Sequence, residues 1–220
     1  MSSELQKRII TSIFLLSLLT LMFMYTFILI VSLMILGTIV WIEFYALISK
    51  ILPKKDFKHR VLRFLFKAIS LIYLTLLVYL VIVIKLKSPE LQMIVVYSIL
   101  ISIMTDVGGL VTGKAFKGKK LTKISPKKTI SGSIGSFIFS FFLIPIFIKY
   151  LPSYDFFSLL IITLIISLVS QFGDLLISFI KRKAKVKDTS DLLPGHGGVL
   201  DRVDGIIFAI PTGFLIFTYL

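Results

Sequence analysis

Cysteine is absent from this chain of 220 residues, which excludes disulfides, thiolate nucleophiles and cysteine-based zinc sites. Histidine is nearly absent, with only His59 and His196. Any chemistry must therefore rest on carboxylates, Lys, Arg, hydroxyls and backbone amides. Charge is also scarce. Charged residues make up 16% of the chain, against roughly a quarter in soluble domains, and they stand in short blocks rather than along helix faces. In their place are 57% apolar residues, 20 Phe and a mean hydropathy of +1.00. That is the composition of a chain whose main solvent is lipid.

Three further absences narrow the reading. No basic stripe is interleaved with aromatics along any one element, so the net charge of +14 is not read as a nucleic-acid surface. No small-residue cleavage site closes the apolar run after Lys7 and Arg8. That run extends from Ile9 to Ser49, far beyond the roughly 7–15 residues of a signal core, and the segment is expected to be retained. Finally, no internal repeat or low-complexity linker interrupts the chain. It is read as a single integral membrane domain over 1–220, with N-terminal helices over 9–105, a half bearing the candidate chemistry over 106–205, and a final span over 204–220.

From Ile9 to Ile48 the only charge is Glu43. As one helix this stretch would reach about 60 Å, twice the hydrocarbon thickness, so it must turn back, and the turn is placed near Tyr25 and Thr26. The resulting spans are 9–24 and 27–48, followed by apolar runs at 68–84, 89–105, 129–149, 156–180 and 204–220. The expected fold is all-α, a polytopic transmembrane helix bundle of about seven spans. Placing the N-terminus in the cytoplasm and alternating leaves only Lys85, Lys87 and Lys149, of 25 Lys and Arg, on the far side, as the positive-inside rule requires.

Polar residues inside such spans ask for a reason. Ser167, Ser170, Gln171, Asp174, Ser178 and Lys181 recur at spacings of three and four, forming one polar stripe that must face the bundle interior or a watery cavity. It reads either as a packing seam of hydroxyls or, through Asp174, as a metal or proton site. Gly173 beside it would admit a neighbouring backbone. Asp106, below Ser98, Ser102 and Thr105, opens a glycine-rich stretch and reads either as a site residue or as a helix end. Gly113 to Lys120 nearly matches a phosphate-binding P-loop, but Lys120 stands where Ser or Thr is needed and no strand precedes it, so that reading is rejected. In the same loop, Ile124-Ser125-Pro126-Lys127-Lys128-Thr129 gathers cations and hydroxyls ahead of a span. It reads equally as a phosphate site at a helix N-terminus or as a positive-inside anchor.

The densest signal lies between Ser178 and Asp204: Ser178, Lys181 and Arg182, then Lys187 and Asp188, then His196-Gly197-Gly198 and Asp201-Arg202-Val203-Asp204. Hard oxygen ligands without cysteine suit Mg²⁺. Lys and Arg supply countercharge for phosphates, and glycines admit close backbone approach to an anion.

This segment resembles the signature of the phosphatidate cytidylyltransferase (CDP-diacylglycerol synthase) family, matching it at every fixed position. Gln171-Phe172-Gly173-Asp174 and the Ser125-Pro126-Lys127-Lys128-Thr129 loop agree with it. The loop departs from the family after Thr129, where Ile130-Ser131-Gly132 replaces Trp-Glu-Gly. It departs again after Asp106, where Gly109-Leu110 stands instead of Ala-Tyr, and at Phe116-Lys117-Gly118, where the family has Phe-Gly-Lys.

The resemblance implies cytidylyl transfer from CTP to phosphatidic acid, yielding CDP-diacylglycerol and pyrophosphate, with one or two Mg²⁺ ions as cofactor. It implies an enzyme of a bacterial inner (plasma) membrane with its active site facing the cytoplasm, partnered by CTP and membrane lipid, and it admits a homodimer. Asp174 and Asp201 are then expected as metal ligands, with Asp204 or Asp188 as a further carboxylate. Lys181, Arg182, Lys187 and Arg202 would neutralise phosphates, and Ser125, Lys127 and Lys128 would hold the lipid headgroup or nucleotide. Asp106, Ser178, Gly197 and Gly198 are expected near substrate, and His196 either donates to a phosphate oxygen or is structural. A CTP-using polyprenol kinase, an archaeol-type cytidylyltransferase and an anion transporter are the rival readings.

Overall fold

Hydrocarbon offers backbone N–H and C=O groups no partner, so a chain this apolar satisfies them internally by winding into helices. The computed structural model describes residues 3–53, 56–87, 89–122 and 125–219. Ile124, at the head of the basic-loop motif, and the side chains of Lys7 and Arg8 lie outside the described residues. The helices are α1 (Ser3–Met24), α2 (Thr26–Ile51), α3 (Phe57–Lys87), α4 (Pro89–Phe116), α5 (Ile130–Phe141), α6 (Ile144–Phe147), α7 (Phe156–Lys183), α8 (Leu200–Val203) and α9 (Ile206–Tyr219). No strand forms among the described residues.

The fold is all-α, and the expected spans fall on helices, the one over 129–149 being divided by a turn into α5 and α6. Five segments are long and apolar enough to cross a membrane by length and composition: Thr26–Ile51, Phe57–Lys87, Leu91–Phe116, Ile130–Phe147 and Phe156–Lys183. The apolar part of α1, Ile9–Met24, is shorter, and α9, with 14 residues, rises only about 21 Å against a hydrocarbon core of about 30 Å. Large apolar side chains such as Phe27, Phe64, Ile72 and Phe172 are exposed along these helices, a surface water would not tolerate. This is an integral membrane protein.

The chain packs as two compact units. One comprises residues up to Val83 with Ile180–Val203, and the other Ile84–Phe179 with the residues from Asp204 onward.

In the first unit the expected turn falls at Tyr25, a single extended residue (φ −118°, ψ 113°) between α1 and α2. Thr11 on one arm and Glu43 on the other both bond to the loop over 189–200, so the two helices run side by side. α3 is tied to α2 by polar groups at its basic end. Trp41 Nε1 donates to the Lys67 carbonyl at 3.2 Å. Arg63 donates to Tyr45 Oη and Ser49 Oγ. The Lys67 ammonium lies 5.2 and 5.0 Å from the Trp41 and Tyr45 ring centres, within cation–π range.

In the second unit α4 is central, packing against α5 and α9. Tyr97, fully buried, touches the rings of Phe147 and Phe217 and bonds Thr163 Oγ1 at 2.5 Å. α4 does not end after Asp106 but continues through Gly108 and Gly109 to Phe116. These glycines serve close packing: a Cβ on Gly108 would lie 2.6 Å from the Gly135 carbonyl of α5, and one on Gly109 would lie 2.9 Å from Ser136 Oγ. Gly113 and Lys114 are helical too, in keeping with rejection of the P-loop.

Candidate active site

In the first unit, the segment after α7 returns to α8 through a loop held on two carboxylates. Gly195 and Gly197 adopt positive φ (76° and 81°), which suits glycine. They close a tight turn in which Leu193 N donates to the Gly197 carbonyl and His196 N to the Leu193 carbonyl, both at 2.8 Å.

The turn aims Gly198 N at Asp201 Oδ2, 3.0 Å away. The same oxygen accepts Thr189 N at 2.8 Å and Thr189 Oγ1 at 3.0 Å. Its partner Oδ1 takes the Lys181 ammonium at 2.5 Å. Burial, the largest single influence, pushes the Asp201 carboxyl up. The Lys181 hydrogen bond, the Thr189 and Gly198 amides and the Lys181 charge together outweigh it and hold the group below the usual carboxylate value.

Both glycines are required here by space as well. A Cβ on Gly197 would stand 2.9 Å from Asp201 Oδ2 and 3.3 Å from Asp188 Cβ, and one on Gly198 would stand 2.0 Å from Thr189 Oγ1 and 2.6 Å from Glu43 Oε2. The anions these glycines approach in this structure are thus the chain's own carboxylates.

The remaining residues of the motif lie on the outside of this turn. Arg182, Lys187, Asp188 and Arg202 are exposed. Arg182 donates to the Val186 carbonyl. Arg202 turns both Nε and Nη2 onto the His196 carbonyl at 2.9 and 2.5 Å, so its fork braces the loop. His196 Nε2 lies 3.4 Å from Ser12 Oγ, and its buried Nδ1 has no hydrogen-bond partner among the described residues.

In the second unit the polar stripe of α7 faces inward as expected. Ser167 and Ser170 are buried, and each meets a hydroxyl of α4: Ser170 with Ser102 and Ser167 with Thr105, both at 2.7 Å. Toward the basic loop the partners become more polar. Gln171 accepts from Ser133 at 2.6 Å, and Asp174 pairs with the Lys128 ammonium and accepts from Ser178 Oγ at 3.3 Å. The stripe is therefore a hydroxyl seam over its apolar length and an ion pair at its polar end. Gly173 brings α9 close, since a Cβ there would lie 2.7 Å from the Asp204 carbonyl.

The basic loop is folded onto α5 by backbone bonds from Leu121 N to the Lys128 carbonyl and from Ile130 N to the Lys119 carbonyl. Thr129 caps α5, accepting Gly132 N at 3.0 Å. Lys127 is exposed and Ser125 half-buried. Asp106 is exposed on α4, whereas Asp204 is buried and accepts Gly205 N at 2.9 Å.

Sequence reasoning passed over Glu43. It is 5% exposed and accepts from Thr189 Oγ1, Ser190 Oγ, Val199 N and Leu200 N at 2.9, 2.5, 3.1 and 2.8 Å. The signal available was its solitude, one carboxylate in a long apolar run.

No group of three or more His, Asp or Glu able to hold a metal gathers among the described residues. Mg²⁺ needs only one or two carboxylates when substrate phosphates and water complete its shell. Asp201 Oδ1 and Asp174 Oδ2 each already face a cation, a lysine ammonium. Each is thus, within its own unit, a hard oxygen donor of the kind the ion takes.

Fold and site define an α-helical membrane protein in which Asp201 is paired with a lysine at the end of α7 and Asp174 with a lysine of the basic loop before α5. The profile of the cytidylyltransferase family matches residues 2–220; the chain belongs to that family. It is 42% identical over 143 residues to the phosphatidate cytidylyltransferase of Rickettsia prowazekii (strain Madrid E), a match spanning 61% of each chain. To that of Rickettsia conorii (strain ATCC VR-613 / Malish 7) it is 37% identical over 161 residues, 69% of each. To that of Staphylococcus aureus (strain COL) it is 42% identical over 120 residues, 53% of this chain and 46% of the relative.

Proposed function

We propose that this protein transfers the cytidylyl group of CTP to phosphatidic acid, forming CDP-diacylglycerol and releasing pyrophosphate. The observation that carries the reading is the pairing of Asp201 with Lys181 and of Asp174 with Lys128 inside a membrane chain, together with the names of the relatives above. Each pair is a carboxylate and an ammonium that phosphates and a metal can separate. The ammonium would then be available to a phosphate and the carboxylate to Mg²⁺, whose charge would offset that of the phosphates.

In the reaction a phosphate oxygen of the lipid attacks the α-phosphorus of CTP in line, and the bond to the leaving pyrophosphate breaks. No proton needs to be moved by the protein, so its work is positioning and charge neutralisation. Lys181 and Lys128 supply positive charge from half-buried positions, while Arg182, exposed in the last turn of α7, and Lys187 and Lys127, exposed in loops, offer further charge to phosphates. Asp201 in the first unit and Asp174 in the second are each a carboxylate that would take Mg²⁺, which would neutralise charge on phosphates. The distribution of Lys and Arg supports a site on the cytoplasmic side of an inner membrane, where CTP is available.

The test is purified protein in lipid nanodiscs, supplied with CTP labelled at the α- or γ-phosphate and with phosphatidic acid, a polyprenol or an archaeol-type lipid acceptor. Label from the α-phosphate on phosphatidic acid is the expected result. Label from the γ-phosphate would mark a kinase, α-label on the archaeol-type lipid alone would change the acceptor, and no lipid label would reject the reading.

A further inference from the structure

Within the first unit one carboxylate organises the segment that carries another. Glu43 sits on α2, whose one other charged residue is Lys50 in the last turn, and its two oxygens receive four donors, two apiece, all from residues 189–200. A carboxylate has about four acceptor positions, so the set is filled. Two donors come from the start of the loop, Thr189 and Ser190, and two from its end, the Val199 and Leu200 amides. Glu43 thereby clamps together the two ends of the segment that closes on Asp201.

The link to Asp201 is direct. The Thr189 hydroxyl lies 2.9 Å from Glu43 Oε2 and 3.0 Å from Asp201 Oδ2, and its single hydrogen is shared between the two. The Leu200 amide bonded to Glu43 belongs to the residue just before Asp201.

We infer that Glu43 is a positioning residue: it fixes the 189–200 loop so that Asp201 holds its orientation toward Lys181 and toward the Mg²⁺ that the proposed function requires. The inference rests on that function for its kinetic consequence, but the clamp itself can be measured without any turnover. Gln at this position cannot reproduce it, because its amide nitrogen is a donor and would face two of the four donors. Orienting partners of ligating carboxylates are worth about 10–100-fold in metal affinity or activity.

The experiment compares wild type with Glu43→Gln and Glu43→Asp in nanodiscs. Hydrogen–deuterium exchange without CTP or metal reads the clamp, and α-labelled CTP with phosphatidic acid over a Mg²⁺ titration reads its use. Glu43→Gln is expected to lose protection at the Val199 and Leu200 amides. It should also lower kcat about 10–100-fold and raise the Mg²⁺ concentration for half-maximal rate, with a smaller change in KM for phosphatidic acid. Glu43→Asp, which keeps the charge, should recover part of both.

Wild-type exchange in Glu43→Gln would overturn the clamp. Lost exchange protection with unchanged kcat and Mg²⁺ dependence would overturn its role toward Asp201. If Glu43→Gln cannot be obtained folded, Thr189→Val decides, since it removes only the shared hydroxyl and keeps three of the four bonds to Glu43. It should still raise the Mg²⁺ requirement, and an unchanged titration sinks the inference. A wild type that transfers no label would reject the proposed function and leave the exchange measurement to judge the clamp.

Discussion

Along α7 in the second unit, buried polar atoms are neutral hydroxyls facing neutral hydroxyls: Ser170 with Ser102, and Ser167 with Thr105. Around residues 189–201 in the first unit, the buried polar partners converge on charged carboxylates, Glu43 and Asp201. The difference is one of cost and purpose. A hydroxyl pair between membrane helices contributes about 0.6–2 kcal/mol, which suits a seam that joins two rods and does nothing else. Removing one partner of a buried ion pair costs about 3–5 kcal/mol, so a chain that keeps such pairs has a use for charge at those positions. Asp174, at the end of the seam, is likewise paired with a lysine, but only partly buried, so its pair is worth less.

The comparison can be broken most sharply at the carboxylates. Asp174→Asn and Asp201→Asn should each lower label transfer from α-labelled CTP by at least about 100-fold while the protein still inserts in the membrane. Full activity in either variant would return that pair to a structural role.

Next come two glycines with equally tight surroundings. A Cβ at Gly198 meets Thr189 Oγ1 at 2.0 Å, and one at Gly213 meets Ser98 Oγ at 2.0 Å. Each Ala variant should lose about 1–3 kcal/mol of stability from overpacking, read as melting in detergent. Only Gly198→Ala should also raise the Mg²⁺ requirement, because only there does the displaced backbone carry a donor to Asp201.

Ser102→Ala should be smaller still, about 1 kcal/mol or less, visible in the melting temperature and absent from kcat.

The smallest effect expected is in pH. Asp201 is held below the ordinary carboxylate value in the folded chain, so its ionised form stabilises the fold above that value, and this contribution is lost as pH falls below it. Melting curves in detergent between pH 6 and 3 should show a loss that Asp201→Asn lacks; equal losses would mean that other carboxylates set the acid limit.

Much of the architecture was legible because lipid imposes a simple rule. The run from Ile9 to Ile48 was too long for one crossing, and its turn is at Tyr25; the spacing of Ser167, Ser170 and Asp174 placed them on one inward face. The length of α4 was less legible. Gly108 and Gly109 read either as part of a site opened by Asp106 or as a helix end, and the proximity of Gly135 and Ser136 gives them another purpose. Glu43 was visible as an oddity and no more, since its partners lie at least 146 residues away in sequence.

Composition, hydropathy and local spacing alone determined that this chain is a helical membrane protein, which faces of its helices are polar, and that its acidic and basic residues stand in a few short blocks. These are local properties, fixed by burying backbone polar groups in hydrocarbon and by the helical repeat. Tertiary structure decided which anion each glycine and lysine meets: Asp174 for Lys128, Asp201 for Lys181, and Glu43 beside Gly198. Hydrogen bonds and ion pairs are settled by distances of a few ångströms between segments remote in the chain, and such distances have no counterpart in residue order.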